Sequence, residues 1–279
     1  MRKLASPLAL AVALLAGCGT GSAPSKQPAS ETAAPAASVH GPMGEADSLS
    51  AEVIRQMTDA MGGQKTWDNV PCFRFDFVVV VDGKEKARFS HWWDKKNGRC
   101  RVEGPDDKGR KVTAIFTLKD KKGKSFTDGI VDTDSTNTAS IIQMGYERWV
   151  NDTYWIIMPF KLRDPGVHVV HDSTQRTPDG ADFDVLHVSF NAGIGLTPGD
   201  HYTLYVNRQT HLIDHWDMLL QGQKPPPSSA TWEGWTEVGP VKLALMHRVA
   251  GKPVMIRFEN VAAPATFDET VFTYSRVRG

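Results

Sequence analysis

From Phe73 to Val81 every second residue is large and apolar. Phe73, Phe75, Phe77, Val79 and Val81 alternate with Arg74 and Asp76 before the run closes in valines. A period of two places those side chains on one side of an extended strand. Asp82-Gly83 behind them is a hairpin signal. A strand with one aromatic face needs both neighbours and cover, and the chain that follows offers both. Ala87 to Trp93 pairs back, Asn97-Gly98 turns again, and Arg99 to Glu103, Val112 to Leu118 and Ser125 to Thr127 extend a meander. After Val167 further strands are expected at Asp182 to Phe190, His201 to Asn207, His211 to Leu220, Thr231 to Val238, Val241 to Arg248, Val254 to Val261 and Val271 to Val277. Two stretches break this rhythm. Leu49, Val53, Ile54, Met57, Ala60 and Met61 recur at helical spacing, with Ser50 as N-cap and Gly62-Gly63 as the stop. From Asn137 a second helical rhythm carries Ile141, Ile142, Gly145 and Trp149 on one face. The expected fold is therefore mainly β (α+β). It is a curved antiparallel sheet or open half-barrel of about eleven strands, capped by an N-terminal helix and a mid-chain helical insert.

The insert runs into the most aromatic stretch of the chain, Tyr146 to Val167, holding Tyr146, Trp149, Tyr154, Trp155, Met158 and Phe160. Asn151 or Asp152 is read as the cap of a new turn of helix near Thr153. Pro159 forces Met158 toward an extended conformation and ends that helix. Asp164-Pro165-Gly166 forms a type II turn.

The amino terminus sets the address. Arg2 and Lys3 precede an apolar run from Leu8 to Leu15, too short for a stable span of about 20 residues. Leu15-Ala16-Gly17-Cys18 resembles a bacterial lipobox, which implies cleavage before Cys18 and acylation there. With several acyl chains at about 0.8 kcal/mol per buried CH₂, such an anchor is effectively permanent. Gly19 follows the cysteine in place of the inner-membrane retention Asp of enterobacterial lipoproteins, so the resemblance implies the outer membrane. Residues 18–45 are small and polar, a tether reaching roughly 25–30 Å. Residues 46–279 form one β domain facing the periplasm.

Lys+Arg and Asp+Glu both number 32, so no net basic field recruits nucleic acid. Lys119 to Lys124 is a local exception, read as a solvated hairpin tip. No glycine-rich phosphate loop and no repeat of about 20–50 residues occur, which removes nucleotide-binding and solenoid folds. His211 and His215 would suit zinc on a helix. The period-two pattern around them places them on a strand instead, about 13 Å apart at roughly 3.3 Å per residue. No Gly-x-Ser-x-Gly elbow is present, and no cofactor is implied. Cys72 and Cys100 are candidates for a disulfide in an oxidising compartment. Strand alternation sends them to opposite faces if the phenylalanines and Val102 share one core.

The order of lipobox, tether, helix, meander, helical insert and further strands resembles the LolA/LolB-like superfamily of periplasmic lipoprotein carriers and receptors. Residues Trp149 to Leu162, with Arg148 before them, are similar to a segment in uncharacterised outer-membrane lipoproteins of that class. The resemblance implies a half-barrel whose apolar concave face, lidded by helices, holds acyl chains. The expected function is binding of a lipid or lipoprotein acyl chain, and the expected lining is Phe75, Phe77, Phe89, Trp93, Trp149, Tyr154, Trp155 and Met158. Two alternatives stand beside it: an envelope sensor or scaffold with a protein partner, and a hydrolase whose triad assembles from distant residues.

Overall fold

The computed structural model describes residues 44–178 and 180–274. The expected leader, Cys18 and nearly all of the tether lie outside the described residues. A two-residue strand β1 (Glu45–Ala46) leads into helix α1 (Ser48–Ala60) and the short α2 (Gln64–Asn69). The meander comprises β2 (Cys72–Val81), β3 (Lys84–Asp94), β4 (Arg99–Pro105), β5 (Lys111–Thr117), β6 (Gly123–Thr127) and β7 (Ile130–Val131). Helix α3 (Ser135–Ile157) and a 3-10 turn at Met158–Lys161 separate it from β8 (Val167–Arg176), β9 (Asp182–Phe190), β10 (His201–Asn207) and β11 (Ile213–Leu219). The remaining strands are β12 (Ser228–Thr231), β13 (Glu233–Val238), β14 (Val241–Arg248) and β15 (Val254–Ala262).

These strands form a nine-stranded sheet, β13-β14-β15-β2-β3-β4-β5-β6-β7, and a six-stranded sheet, β1-β8-β9-β10-β11-β12. An Ala230–Val249 bridge joins them where β12 bends into β13. The result is one curved wall, open between β1 and β7: an open half-barrel with helices, as the alternation implied. Strands number fifteen among the described residues because β1, β7 and β12 are too short to show a period. Strand β8 escapes notice because only Val167, Val169 and Val170 are apolar before it continues as polar residues to Arg176.

Several local expectations are corrected. Asp47, not Ser50, caps α1, its carboxylate accepting from the backbone N–H of Leu49 and Ser50 at 3.0 and 2.9 Å. Ser50 is buried and donates its hydroxyl to the same carboxylate. The stop does fall at Gly62-Gly63, both with positive φ. The insert is not two short helices, for α3 runs unbroken for 23 residues. Met158 is helical, at φ −49° and ψ −40°, and opens the 3-10 turn that accommodates Pro159 near its start. Gly166 has φ 79° and Val167 N–H donates to Asp164 O, closing the expected turn. The expected last strand is absent where it can be seen, because Glu269–Phe272 is a 3-10 turn capped by Asp268. His211 sits in the turn before β11 at φ 58°.

Register explains where the core lies. On the concave side of the larger sheet, Phe73, Trp93, Cys100 and Phe116 stand in one row and Phe75, His91, Val102 and Ala114 in the next. Helix α3 covers these rows so closely that a Cβ at Gly145 would come within 2.6 Å of the Ala114 methyl. On the convex side, Trp92 and Ile115 pack with Phe126, Val271 and Phe272. Arg101, wholly buried there, donates to the carbonyls of Val271 and Tyr274 and so fixes the carboxyl-terminal segment. Cys72 and Cys100 are both buried and free, their side chains on opposite faces as the alternation implied.

Candidate functional site

Helix α3 presents aromatic side chains to both sheets. Toward the larger sheet, Trp149 meets Trp93 edge-on at 5.1 Å and stacks on Tyr146 at 6.1 Å. Trp67 of α2 joins this group, edge-on to Phe73 at 5.2 Å and stacked on Phe160 at 5.3 Å. Toward the smaller sheet, Tyr154 lies against Tyr202 and Trp216, and Trp155 meets Trp216 at 4.9 Å and His247 at 5.4 Å. Trp232 closes that group, 5.2 Å from Trp216 and 4.7 Å from His247.

Seven of the eight expected lining residues thus come together. Phe75, Phe77, Trp93, Trp155 and Met158 belong to one buried cluster, with Trp149 and Tyr154 packed against it. Phe89 lies under the guanidinium of Arg148, 3.9 Å from its ring, where the missing side chain of Gly104 leaves it room. In this state the rings fill one another's space across the helix–sheet boundary.

Polar groups inside this face were not anticipated. Asp152, fully buried, accepts from His91 Nε2 at 2.8 Å, Arg148 Nε at 3.1 Å and Asn151 Nδ2 at 2.9 Å, and also from Arg148 Nη2. A carboxylate only accepts, so His91 carries its proton on Nε2. Burial outweighs the carboxylate's pull and lowers the His91 pKa, leaving a neutral ring whose Nδ1 has no partner. The ring stacks on Phe75 at 4.5 Å. His247 is likewise buried, held down to a pKa of about 4 by desolvation, with Nδ1 on the Thr231 carbonyl at 2.8 Å. The buried indole nitrogens of Trp93, Trp149, Trp216 and Trp232 have no acceptor.

Sequence reasoning offered Asn151 or Asp152 as a helix cap and passed over His91. The available signal was parity: His91 falls between Phe89 and Trp93 on the inward face. Arg148 and Asp152 stand at i, i+4, which becomes informative once α3 is continuous.

Elsewhere, a cavity of about 550 Å³ is lined by Gly44, Glu45, Ala46, Asp47, Arg163, His168, Val169 and Val170, outside the aromatic face. Among the described residues, no three His, Cys, Asp or Glu side chains are placed to hold a metal ion. No helix among them is long and apolar enough to cross a membrane.

No family model matches the chain, and no curated protein does. Among solved structures it is similar to a DUF1329 family protein from Desulfovibrio piger, with 12% identity over 80% of this chain and 96% of that one, at a TM-score of 0.45. It is also similar to a LolA superfamily protein from Nitrosomonas europaea, with 10% identity over 79% and 96% of the two chains, again at 0.45. A LolA superfamily protein thus stands among its structural neighbours. Likeness at this level concerns the course of the chain and assigns it no ligand or activity.

Proposed function

We infer that this protein holds an apolar ligand, a lipid or an acyl chain, on the concave face of its half-barrel, by burial and not by reaction. The four buried indole N–H groups without an acceptor carry this reading. A buried donor left unpaired costs about 1–3 kcal/mol, and four among apolar rings suit a guest that brings oxygens on a hydrocarbon body, as an ester or carboxyl lipid does. Because the rings now occupy the space, the guest enters as α3 lifts and its side chains withdraw. Acylation at Cys18 would hold the domain at the outer membrane, on its periplasmic side, within reach of such ligands.

Native mass spectrometry of protein released gently from membranes tests this. A co-purifying lipid-sized mass, reduced in Trp155→Ala, is expected. A ligand-free mass for the wild type, together with no uptake of added dodecyl maltoside, would overturn the reading.

A further inference from the structure

On its convex side the larger sheet carries one row of side chains across five strands: Arg74, Trp92, Arg101, Ile115 and Lys124. Asp94 and Arg99 stand in the next row and face the same way. Residues 268–274 lie over both rows, reached from the end of β15 through residues 263–267, which belong to no strand. Arg99 forks onto Glu269, Nη1 donating to Oε2 at 2.7 Å and Nη2 to Oε1 at 2.9 Å, and its guanidinium lies 4.5 Å from the centre of the Phe272 ring. Arg101 Nη1 donates to the carbonyls of Val271 and Tyr274 at 2.8 and 2.6 Å, and Lys124 Nζ to that of Thr273 at 2.6 Å. Val271 and Phe272 pack on Trp92, Ile115 and Phe126. Each arginine is steadied from behind, Arg99 Nη2 by Asp94 at 2.7 Å and Arg101 Nε by Glu103 at 2.8 Å.

Arg101 separates a ligand site from a mere cover. Hiding Trp92 requires only apolar side chains, and a wholly buried guanidinium with its carboxylate is often no better for stability than apolar residues of the same size. What Arg101 reads is main-chain carbonyls, which every peptide carries. Arg99 reads one carboxylate, and the Trp92 cluster takes two apolar side chains. Everything that the sheet recognises in this segment, another protein segment can therefore supply. Residues 268–274 follow the last strand and belong to neither sheet, so they can leave without breaking a ladder.

We propose that this convex face is a peptide-docking groove, which the chain's own carboxyl-terminal segment occupies as a resident ligand until a partner displaces it. The partner is a protein segment with a carboxylate two residues before an aliphatic side chain and three before an aromatic one, as Glu269 stands to Val271 and Phe272. The groove lies on the side of the sheet opposite α3 and does not depend on the apolar-ligand reading.

The probe is a fluorescein-labelled peptide of residues 267–274, titrated against the full chain and followed by anisotropy. In a chain carrying Glu269→Gln and Phe272→Ala the resident segment is loosened and the groove is untouched. That chain should bind the peptide roughly tenfold or more tightly than the wild type, whose groove is filled. A peptide with Glu269→Gln should bind it about tenfold more weakly than the parent peptide, the scale of one charge-assisted hydrogen bond. Adding Arg99→Ala to the chain should abolish that difference. No saturable binding to the folded variant, or equal binding of the two peptides, overturns the proposal. If circular dichroism shows the double variant unfolded, the chain with Glu269→Gln alone is titrated instead. Unfolding of that chain too overturns the proposal, since a segment the fold cannot lose is not an exchangeable ligand.

Discussion

Asp152 is the residue on which the inner face depends. Its carboxylate satisfies a guanidinium and an imidazole that are themselves buried. Asp152→Ala would strand the Arg148 charge out of water, and removing one partner of such a pair costs about 3–5 kcal/mol. The urea midpoint should fall accordingly. Replacing all three residues by apolar ones of similar volume (His91→Phe, Arg148→Met, Asp152→Leu) should restore most of that loss, because the desolvation cost disappears with the charges. His247 makes a prediction about pH. Its pKa in the fold is about 4 against 6.5 for a free ring, so between those values the unfolded chain binds a proton that the folded one refuses. Stability therefore falls as pH drops from 6.5 to 4, by on the order of 3 kcal/mol for this group. Comparing melting temperatures at pH 7.5 and 4.5 should show a larger drop for the wild type than for His247→Gln. Equal drops would remove the buried neutral imidazole from the account.

At the scale of the element, α3 is a helix laid in a trough, and Gly145 sets how deep it sits. A methyl there meets Ala114 at 2.6 Å and the Phe116 ring at 3.3 Å. Gly145→Ala should therefore cost about 1–3 kcal/mol through overpacking, despite alanine's better helix propensity, and lower the urea midpoint. A gain in stability would mean that the helix sits higher than described. This element also marks how far the sequence could be read. The strands of the meander were legible because burial on one face imposes a period of two that survives any tertiary context. The continuity of α3 was not, since an interior Asn-Asp pair looks the same as a cap until its partner is known, and that partner is His91, 61 positions away. The carboxyl-terminal segment misled for a related reason. Val271 and Phe272 are apolar because they cover Trp92 from a 3-10 turn, without any strand to alternate along. Most of the residues expected to line a pocket do share one inner face, but side-chain parity alone could not say that the rings would meet one another.

For the whole molecule, the open edges at β1 and β7 leave a curved wall whose hollow is occupied by its own helix. Such a wall can take a guest only by giving up contacts between α3 and the sheets, so ligand affinity and helix docking oppose each other. The proposed acylation of Cys18 is a separate matter with its own test. Cys18→Ser should move the protein from the membrane fraction to the soluble periplasmic fraction, and retention in the membrane would remove acylation at this cysteine from the account.

The central claim, that ligand and α3 compete for one concave face, is tested most directly by hydrogen exchange with and without saturating dodecyl maltoside below its micelle concentration. The account predicts faster exchange of amides in Ser135–Ile157 when the ligand is bound, with β2 to β5 protected as before. Bound ligand with α3 as protected as in the free protein would contradict it.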